Sequence, residues 1–142
     1  MLALLADHHL AAGDDQRSWE AALGALRITR RLGDVIKINL LLGTVSRLQA
    51  RSGRTLAALR TRQYIIDGEL ADGRLHEVAL SLVALGAILY GAGEVDDASH
   101  IWRKARGLAD ANVLRLSVIS WLPPEMQAIC FQVMEEAAAD RP

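Results

Sequence analysis

Residues 85–105 read LGAILYGAGEVDDASHIWRKA and hold the end of one helix, a Gly-centred turn and the start of a second helix. That pattern is a helical hairpin. Glycine after a helix takes the left-handed backbone other residues resist, and acids just beyond it suit the positive end of the next helix. Gly93 has counterparts at Gly53 and Gly13, so the turn recurs every 40 residues. A fixed interval of that size marks a repeat architecture, in which each unit buries its apolar face only by stacking on its neighbours.

Superposing the chain on itself at that interval shows what the repeat needs. Leu2, Leu42 and Leu82 coincide, as do Leu5, Val45 and Leu85. Ala6, Ser46 and Gly86 form a small-residue column on the first helix of each pair, and Ser18, Ala58 and Ala98 form another on the second. Small residues let two helices lie close, so these columns are expected to face each other across each hairpin, and a large side chain there would overpack the contact.

Taken in order, an apolar helix from Leu2 to about Ala12 ends at Gly13. A second, opened by Asp14 and Asp15 and closed by Arg30 and Arg31, ends at Gly33. Asp34 is the expected N-cap of a helix from Val35 to about Ser52, with Ile38, Leu42 and Val45 on one stripe. Further helices run from about Arg54 to Leu70, through Leu75, Leu82, Leu85 and Leu89, and through Val95, Ala98, Trp102 and Ala105. A last pair is split by Pro123 and Pro124, its final helix carrying Met126, Ile129, Cys130, Val133 and Met134. No segment alternates with a period of two. The expected fold is all-α, about eight helices in a right-handed α-solenoid of antiparallel hairpins, over one domain spanning residues 1–142. Its repeats fall at about 1–33, 34–72 and 73–111, with an atypical pair at 112–139.

A 142-residue chain can bury roughly two thirds of its unfolded surface in one domain. With 51% hydrophobic residues and three prolines it is far from disordered. A mean hydropathy of +0.16 leaves apolar surface for a partner. The apolar first helix lacks the polar face of a capping repeat, which points to a piece of a longer array or to a homodimer joined at that end. One cysteine, Cys130, forms no internal disulfide and suits a reducing compartment. MLALLA is too short for a signal-peptide core, and no run approaches the ~18 apolar residues of a membrane span. The expected location is the cytoplasm, with no membrane partner.

Leu85-Gly86, Leu89-Tyr90, Gly93, Ala98, Trp102 and Ala105 fall at the signature spacing of a known family, and here the chain resembles the tetratricopeptide repeat. Leu5-Ala6, Gly13, Ser18, Ala22 and Ala25 take the same places in the first repeat. The middle repeat departs, with Arg62 in the place of Trp102 and Ile65 in that of Ala105, so its second helix is expected to pack differently, using Tyr64. The period of 40 exceeds the family's usual 34 and is similar to the long repeats in sensor regions of bacterial transcription activators of the MalT-like type. HEAT-type repeats are the structural alternative. The resemblance covers about residues 1–120 and implies a protein-binding or ligand-sensing scaffold whose first helices line a concave groove. It places Asp7, Leu10, Gly43, Arg47, Arg51, Val83, Ala87 and Tyr90 on that lining.

Charge is segregated along the chain. Residues 27–62 carry nine basic side chains and one acid, Asp34, within a total net charge of −1. Arg47 and Arg51, one helical turn apart, are suited to grip a carboxylate or phosphate, against the plainer reading of a solvated basic face. The expected partner-binding set is therefore Asp7, Leu10, Arg47, Arg51, Val83 and Tyr90, for a protein or peptide of acidic character. Ala3 and Asp7 replace the Lys and Asn of the family's chaperone-tail clamp, which disfavours that role. Nucleic acid is disfavoured because only Tyr64 accompanies the basic stretch and single strands need several aromatics to stack on.

His8 and His9 point about 100° apart, and neither His76 nor His100 has a histidine at i+3 or i+4, so no metal site is expected. Asp96 and His100 have acid–base spacing, yet acids also open the helix after Gly13, at Asp14 and Asp15, which favours capping over catalysis. Trp102 reads as packing, Cys130 as a buried inert thiol, and Tyr90 as either core or lining. No phosphate loop, nucleophile elbow or paired cysteines occur. The sequence thus predicts a non-catalytic scaffold without cofactor. The alternatives are a sensor fragment of a regulator taking a small-molecule signal, and a self-assembling helical module.

Overall fold

The computed structural model describes residues 5, 6, 9, 10, 12–109 and 122–139. Those residues are helices and short turns, with no strand among them. Leu5, Ala6, His9 and Leu10 are helical, and six helices follow: α1 (Asp15–Leu32), α2 (Val35–Arg51), α3 (Thr55–Ala71), α4 (Leu75–Gly91), α5 (Val95–Leu108) and α6 (Pro124–Ala139). The first member of the expected last pair lies outside the described residues.

One turn, used five times, sets these boundaries. Gly13, Gly33, Gly53, Gly73 and Gly93 all have positive φ, from +68° to +88°, and stand 20 residues apart. The interval between turns is half the 40 that separates equivalent hairpins. Each glycine closes the preceding helix with the same two bonds: at Gly53 its N–H reaches Ala50 O (3.1 Å) and the next N–H, of Arg54, reaches Gln49 O (2.8 Å). These are the two reverse bonds of a Schellman ending, which satisfy carbonyls a helix terminus leaves bare. Asp14 and Asp34 then open the following helices, each carboxylate accepting from the backbone N–H three residues on at 3.2 Å.

Two compact units make up the chain, Met1–Ile65 and Ile66–Pro142, the division falling inside α3. In the first unit the core gathers Ala6, Ala22, Ala25, Leu26, Leu41 and Val45, with Trp19, Ala21, Ile38 and Leu42 packed on it. Its small columns do meet: Ser18 Oγ donates to Ala6 O (2.7 Å), and Ser46 Oγ donates to Ala58 O (3.0 Å). Close approach through a small residue buries the hydroxyl, and the facing carbonyl supplies the partner it then needs.

In the second unit α4 packs on α5, and α5 on α6. Helix α4 is apolar nearly all round and has nine buried residues, as a helix enclosed on most sides must. Trp102 is fully buried and donates its Nε1–H to Val83 O at 3.1 Å. In the first unit Arg62 occupies the equivalent place: 7% exposed, it donates from Nη2 to Gly43 O at 3.3 Å, and both residues lie 40 positions before their counterparts. The expectation that Tyr64 would substitute for the missing Trp is corrected. Tyr64 is 66% exposed, and Arg62 fills the site itself because its planar guanidinium can lie against Gly43 and still donate.

Candidate functional site

Of the six residues expected to line a groove, Leu10, Arg47 and Arg51 belong to the first unit and Val83 and Tyr90 to the second. Asp7 lies outside the described residues. Leu10 is buried at 2% exposure and Val83 at 0%, so neither side chain offers a surface. Both are used through the backbone instead: Leu10 O accepts from Arg51 Nη1 at 2.9 Å, and Val83 O accepts from Trp102. Tyr90 is half-buried and stacks on Trp102, the ring centroids 5.9 Å apart, which places it with the core rather than in an open lining.

Arg51 is engaged within the first unit. Its Nη2 also lies 3.1 Å from Asp15 Oδ1, so the guanidinium ties the end of α2 to the carbonyl of Leu10 and to the first turn of α1. A guanidinium already bound to a carboxylate and a helix-terminal carbonyl is a tether, not a waiting anion grip. Arg47, one turn earlier, is half-buried and also engaged within the chain. Among the described residues no three His, Cys, Asp or Glu side chains converge on a metal position, and no helix is long and apolar enough to cross a membrane.

A different arrangement in the first unit has the properties sought. Helices α1 and α2 pack together, and a groove of about 410 Å3 runs between them, lined by Leu23, Leu26, Arg27, Arg30, Arg31, Leu42 and Val45. Its floor is apolar, with Leu26 and Val45 nearly buried and Leu42 half-buried. Its rim carries three exposed arginines. None of the three is ion-paired or hydrogen-bonded through its side chain among the described residues, whereas Arg17, Lys37 and Arg51 each have a carboxylate.

The chain matches no family model, no curated protein and no solved structure. The chemistry of this groove must therefore be read from its own residues.

Arg27 and Arg31 are one turn apart on α1, with Arg30 beside them, so three guanidiniums crowd one helix end. Among the described residues no ion pair relieves their mutual repulsion, and an incoming carboxylate would relieve it while gaining charge-assisted hydrogen bonds. The negative end of the helix dipole offsets part of the repulsion, and taken along one helix at a time it is enough to account for Arg30 and Arg31. The signal in the sequence for something more is the pair Leu42 and Val45 on α2, apolar positions three apart that face the arginines only once the helices pack.

A second, smaller cleft of about 290 Å3 lies near the Asp15–Arg51 pair and is lined by Asp15, Gln16, Trp19, Leu48, Gln49, Ser52 and Arg54. Its lining mixes an indole, two amides, a hydroxyl and two charges.

Proposed function

We propose that this chain is a non-catalytic scaffold that binds an acidic protein segment, taking apolar side chains on the floor of the α1–α2 groove and carboxylates on its arginine rim. The observation that carries this is the trio Arg27, Arg30 and Arg31, unpaired above Leu26, Leu42 and Val45 among the described residues. An apolar floor with a few polar groups on its edge is the usual form of a recognition surface, the floor giving affinity and the charges register and on-rate. The scaffold itself reads as a tetratricopeptide-like right-handed solenoid with long repeats. The equal spacing of five left-handed glycines and the equivalence of Arg62–Gly43 with Trp102–Val83 support it.

Fluorescence anisotropy with a labelled Glu-rich peptide containing leucines tests the reading. Wild-type protein is expected to bind with an affinity that falls steeply with salt, and R27E/R31E to bind at least ~10-fold more weakly. Equal binding by wild type and R27E/R31E would refute it.

The smaller cleft favours a second reading, a sensor for a small polar molecule, since Trp19 offers a stacking face beside Gln49, Ser52 and Arg54. Its volume is at the low end for a ligand site, so the acidic-segment reading stands first.

A further inference from the structure

Residues 27–62 hold nine of the chain's sixteen basic side chains and one of its seventeen acids, so basic and acidic surfaces sit on different stretches of the same chain. The turn into α5 is the acidic counterpart of the arginine groove. Glu94, Val95, Asp96 and Asp97 are consecutive and all exposed, Val95 at 46%. At the equivalent turns Asp14 and Asp34 are occupied, each capping its own helix and pairing with the base three residues on. Glu94 stands at the same position and makes no side-chain cap, and neither Asp96 nor Asp97 is ion-paired among the described residues. The dipole of α5 explains acids in its first turn, but not an uncapped N-cap carboxylate beside an exposed valine.

We infer that the segment seated in the groove is the α5 turn of a second copy of this chain, with Val95 on the floor of Leu26, Leu42 and Val45, and Glu94, Asp96 and Asp97 against Arg27, Arg30 and Arg31. This rests on the reading that the groove takes an acidic segment with an apolar residue, and it names the partner. Three carboxylates and one exposed apolar side chain within four consecutive residues match the three guanidiniums and the apolar floor in number and sign. The turn at Gly73 matches less well, since its Leu70 and Leu75 flank the single acid Asp72, with Arg74 two residues beyond. The two surfaces are unlike, so each copy keeps one of each free after a first contact, and association continues into a ring or an open chain of copies. A contact of one turn and one groove is smaller than a standard interface, so the association is weak, reversible and salt-sensitive.

Multi-angle light scattering over a concentration series, at about 10 mM and about 500 mM salt, tests this. The mass is expected to rise above the 15.4 kDa monomer with concentration at low salt and to return to it at high salt. R27E/R31E alone and E94K/D97K alone are each expected to stay monomeric, while their mixture associates, because the reversed groove of one now fits the reversed turn of the other. A wild-type mass of 15.4 kDa at every concentration, or a mixture no larger than its components, overturns the inference. Should circular dichroism show that either reversal unfolds the chain, R27Q/R31Q and E94Q/D97N replace them, each expected to weaken association at least ~10-fold. A chain that stays monomeric yet binds the Glu-rich peptide refutes self-association and leaves the acidic-partner reading standing.

Discussion

Trp102 lies so close over Gly86 that a β-carbon on residue 86 would meet indole Cδ1 at 2.6 Å. The same indole donates to Val83 O, so the ring is held in place and has nowhere to retreat. G86A is therefore expected to destabilise the protein by ~1–3 kcal/mol through overpacking. In the first unit, at the place that corresponds to Val83, a β-carbon on Gly43 would meet Arg62 Nη2 at 3.4 Å, an ordinary contact with the end of a long side chain. G43A should be neutral or stabilise by up to ~1 kcal/mol, because alanine restricts the unfolded chain and favours helix. Urea denaturation of both variants checks the contrast; equal losses would show that the indole over Gly86 yields as readily as the guanidinium over Gly43.

The five turn glycines make a separate prediction, since their need for glycine comes from the backbone rather than from space. Gly73 has φ +69°, and a β-carbon on it would meet nothing within 4 Å, so any penalty in G73A is conformational and should be ~1–2 kcal/mol. Gly68, five residues earlier, is within α3 and equally uncrowded but not left-handed, and G68A should stabilise by ~0.5–1 kcal/mol. Thermal melts that move in opposite directions for the two variants would support this account, and a parallel shift would not.

How much of this is legible in the sequence depends on whether a residue's task is local. The helix ends are legible because glycine and aspartate act within a few residues of themselves: Gly13, Gly53 and Gly93 stand out as one repeating turn, and Asp34 as a cap. Gly33 and Gly73 show in the sequence only as stops, since a superposition at 40 residues never compares them with the other three. Arg51 and Arg62 escape a sequence reading for a different reason. Arg51 reaches Leu10, 41 residues away, and Arg62 reaches back to Gly43, so neither can be told from a solvated base until the helices are packed. The arginine groove is hidden in the same way, because its lining comes from two helices.

Cys130 is fully buried on α6, and burial pushes its thiol from 9.0 up to about 12. A raised native value means that stability is complete below the unfolded value and is lost as pH rises from about 9 toward 12, where only the unfolded thiol ionises. Folded protein should therefore react with a thiol-specific disulfide reagent only through unfolding, at a rate that rises with urea. Between about pH 9 and 10 wild type should lose stability more steeply than C130A. Immediate labelling of native protein would place the thiol at the surface.

Arg51 and the pair Arg27 and Arg31 lie on packed helices of one unit and are all arginines at exposed or part-exposed positions, yet they should fail in opposite assays. Removing Arg51 breaks its hydrogen bond to Leu10 O and its pair with Asp15, both side chains being 42% exposed and therefore well screened. The bond contributes ~0.5–1.5 kcal/mol and the pair at most ~1, so R51A should lose ~1–2 kcal/mol in urea denaturation. Its affinity for the Glu-rich peptide should be unchanged, since the tether is not part of the groove. R27Q/R31Q should show the reverse, with stability within ~0.5 kcal/mol of wild type because no intramolecular bond is lost, and weakened peptide binding. If R51A abolished binding while R27Q/R31Q did not, the anion grip would belong to α2 after all and the α1–α2 groove would be a solvated basic face.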